Sequence, residues 1–422
     1  MISVLAMTDA DVKTIGGFGL QVHSLIDGSS DVIKIKMSGV SETLIDFLEH
    51  YSGPVVLDGF LDQQLNLEVF DLYKIAHRID TLLLDAQGVE FILAKSVGTQ
   101  QSIEKAAQEL LAFGIKSVLI KAPPMPDVFW DHYYWTNGIL GFWLSQSRKS
   151  AENYTDSGTV LSAATASALA LGYSPEDSII IATMYAHQAT RLGQERLYYG
   201  GFPESEEDLP YLSSMPLYEA PQAFKLCHYL GLYPVVDSVE WVETLLQLGV
   251  KTIQLRIKEK TKSLEEDMKR CIDLAKKYQA TLFINDYWEL ALKLGAEAIH
   301  LGQSDLDGAD LEAIRRQGLL LGVSTYCYYE VARAHAICPS YIAIGPIYPT
   351  SSKEVTYAAQ GITGLQRWKR TLSYPLIAIG GINLERAVDV VASGVSGVAL
   401  ISAITEADDP RAATQEFLNL MK

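Results

Sequence analysis

The sequence predicts an α/β protein whose C-terminal half is a barrel of eight βα units. Beyond about residue 222, short apolar runs alternate with segments of helical periodicity. The runs are continuously apolar, which is typical of parallel strands buried on both faces of a sheet. Eight strand–helix units are the composition of a TIM (β/α)8 barrel. The eight predicted strands are Leu232–Val236, Thr252–Leu255, Thr281–Ile284, Ala298–Leu301, Leu319–Val323, Tyr341–Ile344, Leu376–Ile379 and Gly397–Leu400.

Helices are predicted between these strands, because neighbouring parallel strands need a crossover connection. Clear examples are Ser238–Leu248, Leu264–Tyr278 and Leu384–Ala392. In a barrel of this kind, catalytic residues lie just beyond the carboxyl ends of the strands. The residues that follow each predicted strand are therefore where a functional site is expected.

Polar residues follow seven of the eight predicted strands. Any one polar strand end is more often ordinary surface, but seven at a single rim favour a functional site. Gln254, Arg256 and Lys258 occupy alternate positions and so share one face. The polar stretches are Gln254–Lys258, Asn285-Asp286, Gly302–Asp305, Ser324-Thr325, Gly345–Gly361, Gly380–Asn383 and Ile401-Ser402.

Composition restricts the class of partner. The chain has 422 residues, enough for two or more domains, and a formal net charge of −17. Such a charge argues against nucleic acid or an anionic membrane as partner. The sequence shows no basic leader, no long uninterrupted apolar stretch and no C-x-x-C pair among its four cysteines. We expect a cytoplasmic protein that acts on small molecules, and a homo-oligomer is compatible with this expectation.

Residues 195–221 separate two α/β regions. This segment is rich in acidic residues, glycine and proline and has no clear periodicity. Such a composition predicts a linker. We therefore divide the chain into an N-terminal domain of residues 1–194, a linker of residues 195–221 and a barrel of residues 222–422.

The charges at the predicted rim indicate phosphate chemistry. Arg256, Lys258 and Lys353 supply cations, while Asp286 and Asp305 supply carboxylates of the kind that bind Mg²⁺. The sequence places no cysteine or histidine as an evident nucleophile, since His300 on the fourth strand is expected to be a packed histidine. Transfer chemistry without a covalent enzyme intermediate is therefore favoured.

A second anion site is suggested by the stretches after the sixth to eighth strands. Residues 350–353, Thr-Ser-Ser-Lys, combine hydroxyls with one ammonium and can hold a phosphate, although a polar surface turn is the alternative for this stretch alone. Gly380-Gly381 and Ile401-Ser402 match the position of the phosphate cup common in such barrels.

The C-terminal half resembles thiamine-phosphate synthases. The resemblance is carried, in order, by QLRIK, INDYWELALKLGAEAIHLGQSD, GVSTYCYYE, AIGPIYPTSSK, AIGGIN and VALISAIT. It implies a Mg²⁺-assisted enzyme that joins 4-amino-2-methyl-5-hydroxymethylpyrimidine diphosphate to 4-methyl-5-(2-phosphoethyl)thiazole. The implied products are thiamine phosphate and pyrophosphate.

The resemblance also implies a role for each rim residue. Asp286 and Asp305 correspond to the Mg²⁺ carboxylates. Arg256, Lys258, Lys353 and Ser324 correspond to catalytic residues. The implied substrate contacts are Gln254, Arg256, Lys258, Asn285, Ser324, Thr350, Ser352, Lys353, Gly381, Ile401 and Ser402.

Three positions depart from the family pattern. Tyr287 replaces an arginine, Tyr326 replaces a histidine, and T-x-S-K replaces T-x-T-K. A thiazole tautomerase is the rival within the fold, but it normally lacks part of the metal and pyrophosphate set that this chain retains. A non-enzymatic pyrimidine-binding protein is a further alternative.

The N-terminal half resembles hydroxymethylpyrimidine phosphate kinases, which have a ribokinase-like α/β fold. The segments DVIKIKMSG, GPVVLDGF, GIKSVLIKAPPM and YTDSGTVLSAATASALALGYSPEDSIIIA carry this resemblance. It implies that Lys121 lies on the nucleotide side and that Gly158 and Thr159 lie where the transferred phosphoryl group is held.

The kinase resemblance is incomplete at its catalytic motifs. The family's anion hole reads G-T-G-C, whereas residues 156–159 read Asp-Ser-Gly-Thr, and the chain between His23 and Asp31 is too short for the usual substrate flap. A carboxylate at Asp156 would repel phosphate. We expect a degenerate domain that does not phosphorylate. A working kinase, which would make the protein bifunctional and ATP a cofactor, is the alternative.

Overall fold

The computed structural model describes residues 3–5, 8–23, 30–37, 40–60, 69–124, 129–148, 157–194, 196–227, 230–350 and 358–421. The chain divides into two compact units, residues 1–220 and 221–422.

The first unit contains a nine-stranded sheet with the order β2-β1-β3-β4-β5-β6-β7-β8-β9. The pairs from β2 to β6 are parallel, and those from β6 to β9 are antiparallel. The strands are β1 (Ser3–Leu5), β2 (Gln21–His23), β3 (Val32–Lys36), β4 (Val55–Asp58), β5 (Thr81–Asp85), β6 (Val118–Lys121), β7 (Trp130–Thr136), β8 (Gly141–Ser147) and β9 (Tyr211–Ser213).

Helices pack on this sheet to form the mixed α/β architecture that the sequence predicts. Helix α6 is built largely of small residues, and its positions Thr159 to Ala168 are all buried, so it packs as an inner layer. The helices are α1 (Asp9–Gly17), α2 (Glu42–His50), α3 (Val69–Ile75), α4 (Ala86–Leu93), α5 (Gln100–Leu111), α6 (Ser157–Ala170) and α7 (Pro175–Arg191), with 3₁₀ turns at Ala76–Arg78 and Glu206–Asp208.

Part of the segment predicted as a linker has a regular structure in the first unit. Tyr211–Ser213 forms β9, which pairs with β8 at the end of the sheet. Asp208 is buried, accepts hydrogen bonds from Arg191 and lies 2.8 Å from Nδ1 of His187. The chain therefore remains part of the first unit until about residue 220.

A buried charge cluster joins β3, α1 and β4 in the first unit. The ammonium of Lys34 is completely buried, 2.6 Å from Asp11 Oδ1 and 2.9 Å from Asp58 Oδ2. Asp11 also accepts the backbone N–H of Thr8 at 2.9 Å, and Asp58 accepts the hydroxyl of Ser162 at 2.8 Å. These bonds compensate for the removal of three charges from water.

The second unit is a closed barrel of eight strands in chain order, as predicted. All pairs are parallel, and β17 closes on β10 with Gly231 opposite Gly397. The strands are β10 (Gly231–Val236), β11 (Thr252–Leu255), β12 (Thr281–Asn285), β13 (Ala298–Leu301), β14 (Leu320–Thr325), β15 (Tyr341–Ile344), β16 (Leu376–Ile379) and β17 (Gly397–Leu400). The fold is therefore a TIM barrel.

Helices connect the strands and shield the barrel. Several begin at a side-chain cap, such as Ser238 before α8 and Asn383 before α15. The helices are α8 (Val239–Gln247), α9 (Leu264–Tyr278), α10 (Trp288–Leu294), α11 (Gln303–Leu306), α12 (Leu311–Arg316), α13 (Tyr328–Ile337), α14 (Gly361–Thr371), α15 (Leu384–Ala392), α16 (Ser402–Thr405) and α17 (Pro410–Leu420).

Three large aromatic residues fill the barrel interior. Tyr233, Phe283 and Tyr341 contact one another, with ring centroids 5.2–5.9 Å apart. Gly322 lies opposite Tyr341 in the register of β14 and β15, and a Cβ at Gly322 would collide with the tyrosine ring. The absence of a side chain at Gly322 thus allows Tyr341 to lie across the barrel.

No helix in the described part of the chain is long and apolar enough to cross a membrane.

Replacing Lys34 by methionine is predicted to destabilise the first unit by about 3–5 kcal/mol, because two buried carboxylates would lose their shared cation. Urea unfolding of the full chain measures this change in the free energy of unfolding. Hydrogen exchange of the backbone amides of β3 and β4 shows that the change lies in the first unit. Lys13→Met is the control, since Lys13 pairs with Asp9 at the surface with side chains 48% and 81% exposed. Equal stability of the two variants would contradict the prediction.

Candidate active site

A cavity of about 410 Å³ opens at the carboxyl ends of the barrel strands. Its walls contain eight of the residues predicted from the sequence, which come from six different strands or the loops that follow them. These eight are Gln254, Arg256, Asn285, Asp286, Asp305, Ser324, Thr350 and Ile401. The structure therefore brings together side chains that are up to about 150 positions apart in the chain.

Other predicted residues lie elsewhere. Lys258 lines an adjoining cavity of about 470 Å³, which shares Arg256 and Ile401 with the first. Gly381 and Ser402 are near the rim but are not in the wall of the 410 Å³ cavity. Ser352 and Lys353 lie outside the described residues.

Asp286 and Asp305 form a pair of facing carboxylates at the rim. Burial, together with the charge of Asp305, raises the pKa of Asp286 to about 6, although Arg256 and Asn285 act in the opposite direction. Asp286 also has a left-handed backbone conformation, with φ of 64°, which is uncommon for a residue other than glycine. Strained backbone holding like charges together is the pattern expected of a functional site.

The carboxylate pair fits a divalent cation whose remaining ligands come from outside the protein. Within the described ranges, no cluster of three or more His, Cys, Asp or Glu side chains could hold a metal. Mg²⁺ commonly takes only one or two protein carboxylates and completes its shell with water and substrate phosphates. Asp286 and Asp305 satisfy that requirement.

Arg256 places positive charge beside the carboxylates, and Lys258 lines the adjoining cavity. The backbone N–H of Arg256 donates to Val236 O at 2.7 Å, which fixes the loop that leaves β11. Arg256 contributes to both cavities. An anion placed where the cavities meet would therefore contact the guanidinium and lie near the carboxylate pair.

A chain of hydrogen bonds crosses the inner end of the cavity. Gln254 Nε2 donates to the hydroxyl of Tyr233 at 3.2 Å, and the hydroxyls of Tyr233 and Tyr341 are 2.8 Å apart. His300 contacts the Tyr341 hydroxyl through Nδ1 at 2.6 Å and Ser324 Oγ through Nε2 at 2.8 Å. The histidine is buried, as expected, but its ring connects two groups of the cavity wall.

Glycines shape the other side of the rim. Gly380 and Gly381 have φ values of 103° and 62°. A Cβ at Gly381 would collide with the carbonyl oxygen of Pro349, so the turn after β16 packs directly on the loop after β15. The N–H of Tyr348 donates to Gly380 O at 3.0 Å.

The two tyrosines that depart from the family pattern have different positions. Tyr326 lines the cavity, and its backbone N–H donates to Glu330 Oε2 at 2.7 Å. Tyr287 precedes α10, and the ammonium of Lys260 lies over its ring, 5.8 Å from the ring centroid. Of these two tyrosines, Tyr326 alone belongs to the described wall of the 410 Å³ cavity.

The predicted phosphoryl site of the first unit is nearly filled. Lys121 and Gly158 line a cavity of only about 40 Å³, and Phe60 packs so closely on Gly158 that a Cβ there would collide with the ring. Burial would raise the pKa of Asp131 in this cavity, but Lys121 and Arg148 outweigh burial and hold it below its usual value. Thr159 is buried in α6, and Asp156 lies outside the described residues.

Tyr233, Tyr341 and Gln303 are among the cavity residues that were given no individual role from the sequence. Tyr233 and Tyr341 belong to apolar strands and resemble core residues until the barrel closes. Gln303 follows β13, donates from Nε2 to Ser324 O at 2.8 Å, and has a buried Oε1 without a hydrogen-bond partner among the described residues. Its place between a strand and Asp305 was the signal available in the sequence.

Comparisons with known families match the two units separately. The family model described as thiamine monophosphate synthase matches residues 232–404 of this chain. The family model described as phosphomethylpyrimidine kinase matches residues 18–201.

Relatives of the barrel include the thiamine-phosphate synthases of Proteus mirabilis and Serratia proteamaculans. The first is 54% identical over 195 residues, covering 46% of this chain and 91% of the relative. The second is 55% identical over 197 residues, covering 46% of this chain and 93% of the relative.

Two solved structures each resemble about half of the chain. The thiamine phosphate pyrophosphorylase from Pyrococcus furiosus is 32% identical, with a TM-score of 0.41 and coverage of 46% of this chain and 95% of that one. A pyridoxal kinase from Staphylococcus aureus is 16% identical, with a TM-score of 0.42 and coverage of 50% and 97%.

Replacing Asp286 by asparagine is predicted to stabilise the metal-free barrel at neutral pH. A carboxyl whose folded pKa of about 6 exceeds its unfolded value costs stability progressively as pH rises from about 4 to 6. Removing that charge should be worth roughly 1–2 kcal/mol after allowance for partial exposure, or about 2–8 °C in melting temperature.

The melting temperatures should be measured at several pH values, with and without Mg²⁺. Mg²⁺ is predicted to raise the melting temperature of the wild type but not that of Asp286→Asn. Asp307→Asn is the control, because Asp307 is exposed and pairs with Arg333. Its melting temperature should respond to Mg²⁺ as that of the wild type does. If Asp286→Asn melted at a lower temperature than the wild type at pH 7 without Mg²⁺, the inferred repulsion between Asp286 and Asp305 would be refuted.

Proposed function

The chain belongs to the thiamine-phosphate synthase family, and on this premise we propose that its barrel makes thiamine phosphate. The substrates would be 4-amino-2-methyl-5-hydroxymethylpyrimidine diphosphate and 4-methyl-5-(2-phosphoethyl)thiazole, and the second product pyrophosphate. The observation that carries the proposal is the carboxylate pair of Asp286 and Asp305 beside Arg256 in one cavity. This arrangement combines a cation site with an anion site, as a diphosphate substrate requires.

Asp286 and Asp305 are proposed to hold Mg²⁺. When bound, Mg²⁺ would supply positive charge to the oxygens of the diphosphate. The carboxylates would then be relieved of the repulsion that raises the pKa of Asp286.

Arg256, Lys258 and Asn285 are proposed to bind the diphosphate and to stabilise its departure. The bond between the methylene carbon and the diphosphate oxygen breaks, and the electron pair stays on oxygen. Negative charge therefore accumulates on the leaving group, where the guanidinium and ammonium can donate hydrogen bonds. Interactions that strengthen as the bond breaks accelerate the reaction.

The aminopyrimidine is proposed to lie against Gln254 and Ser324 at the inner end of the cavity. Its electron-rich ring can carry the positive charge left on the methylene group. The lone pair of the thiazole nitrogen then forms the new carbon–nitrogen bond. No protein nucleophile is needed, because holding the two rings together supplies the required proximity.

The thiazole phosphate is proposed to bind near the loops after β15, β16 and β17. Thr350 lines the cavity, and the turn at Gly380-Gly381 allows close approach of the backbone. Ser352, Lys353, Gly381, Ile401 and Ser402 remain the contacts that the sequence predicts for this phosphate and for the diphosphate.

The first unit is proposed not to phosphorylate. The support is steric, because the cavity of about 40 Å³ beside Lys121 and Gly158 is far below the roughly 300 Å³ or more of a ligand pocket. A bifunctional protein is the second candidate, favoured by the match of residues 18–201 to a kinase family. A thiazole tautomerase is disfavoured because Arg256, Asp286 and Asp305 are all present.

Asp286→Ala is predicted to reduce pyrophosphate release at least about 100-fold when both substrates are mixed with Mg²⁺, since removal of a charge-stabilising group commonly costs that much. A coupled pyrophosphate assay measures the rate. Asp307→Ala is the matched control, because Asp307 is exposed and pairs with Arg333. Comparable rates for wild type and Asp286→Ala would remove Asp286 from the site.

A non-hydrolysable ATP analogue is predicted not to bind the full-length protein at millimolar concentration. Titration calorimetry should show no saturable heat for the wild type. Saturable heat in the wild type that disappears in Lys121→Ala would show a nucleotide site despite Phe60, and would support the bifunctional candidate.

A further inference from the structure

The hydrogen bonds at the inner end of the cavity are all made if they run in one direction. The amide nitrogen of Gln254 can only donate, so the oxygen of Tyr233 accepts. The oxygen of Tyr341 is 2.8 Å away, and Tyr233 can donate its own proton to it. Tyr341 can in turn donate its proton to Nδ1 of His300, 2.6 Å away.

The direction determines the tautomer of His300. A neutral imidazole that accepts at Nδ1 carries its proton on Nε2. Nε2 therefore donates to Ser324 Oγ, 2.8 Å away. With the serine oxygen accepting this bond, the hydroxyl proton of Ser324 is left for a group in the cavity that Ser324 lines.

We propose that the chain runs in this direction and that Tyr233, Tyr341 and His300 are positioning residues, which make Ser324 a hydrogen-bond donor to the substrate ring. The proposal rests on the proposed function, since it assigns the recognition of the aminopyrimidine. The three residues act through Ser324 and Gln254 rather than on the reacting atoms.

Burial keeps the chain protonated and rigid. Tyr233 and Tyr341 are 1% and 0% exposed. Burial is the largest of the effects that raise the pKa of each hydroxyl. Their hydroxyls therefore remain donors at any physiological pH. The ring of Tyr341 packs edge-on to Phe283 at 5.2 Å and lies over Gly322, which limits its rotation.

Gln303 supplies the complementary acceptor. Its Nε2 donates to Ser324 O at 2.8 Å, so its Oε1 is the opposite end of a fixed amide. That Oε1 is buried and has no hydrogen-bond partner among the described residues, although Gln303 lines the cavity. A buried acceptor without a partner requires a donor, and a ligand can provide one.

A donor at Ser324 and an acceptor at Gln303 match a 4-aminopyrimidine. This ring presents an amino donor next to a ring-nitrogen acceptor. The 4-oxo analogue reverses the pattern, with a carbonyl acceptor next to an N–H donor. The site is therefore proposed to reject the oxo ring. The Ser324 donor would face the N–H donor of that ring, and the Gln303 acceptor would face its carbonyl acceptor.

The tautomer of His300 tests the direction of the chain without any enzyme activity. Nitrogen-15 NMR of histidine-labelled full-length protein, assigned with His300→Gln, should show the proton of His300 on Nε2. Tyr341→Phe should shift the tautomer or mix the two forms. A wild-type His300 with its proton on Nδ1 would overturn the proposal.

Binding of the two pyrimidines tests the consequence. Calorimetry should compare hydroxymethylpyrimidine monophosphate in its 4-amino and 4-oxo forms, which lack the diphosphate leaving group. The wild type should prefer the amino form by about 100-fold or more. Tyr341→Phe should reduce this preference at least about tenfold, because the donor at Ser324 is no longer fixed.

The matched control is Tyr374→Phe. Tyr374 is also a buried tyrosine of the barrel, and its hydroxyl lies 3.0 Å from Nδ1 of His335, away from the cavity wall. It should keep the wild-type preference. A Tyr341→Phe variant that weakens both ligands equally would reveal a merely structural role and overturn the proposal. Absence of thiamine phosphate formation would instead count against the proposed function alone.

Discussion

The repulsion between the carboxylates of Asp286 and Asp305 is the constraint on which the barrel rim depends. A rim selected only for stability would separate these groups or neutralise one of them. Instead, Asp286 adopts a left-handed conformation and has a raised pKa of about 6. The closed hydrogen-bonding of the eight strands supplies the rigidity that holds this arrangement. A cation shared with a diphosphate would convert the repulsion into binding energy for the substrate.

The inner end of the cavity shows a second use of buried polar groups. The side chains from Gln254 to Ser324 could be replaced by apolar residues in a barrel that needed only stability. Their hydrogen bonds are satisfied along the chain from one side chain to the next. In the proposed function, the rim would therefore provide charge for the leaving group, and the inner end would provide hydrogen-bond direction for the ring. These two functions are separated along the axis of one cavity.

The sequence predicted the local features and missed those that depend on barrel closure. Continuous apolar runs placed all eight strands, and polar strand ends placed Arg256, Asp286 and Asp305 at one rim, because strand burial has a local periodicity. Tyr233 and Tyr341 could not be distinguished from core residues, since their hydroxyls meet only after β10 and β15 face each other across the barrel. β9 was missed because three residues within an acidic, proline-containing segment carry little strand signal. Phe60 on Gly158 is likewise a tertiary contact without a sequence pattern.

The most direct test of the account supplies the purified full-length protein with Mg²⁺, ATP, thiazole phosphate and either the pyrimidine monophosphate or the pyrimidine diphosphate. Thiamine phosphate is followed by the fluorescence of its oxidised form. The account predicts product from the diphosphate alone, because the barrel condenses and the first unit does not phosphorylate. Product from both pyrimidines would contradict the assignment of the first unit. No product from the diphosphate would contradict the central claim for the barrel.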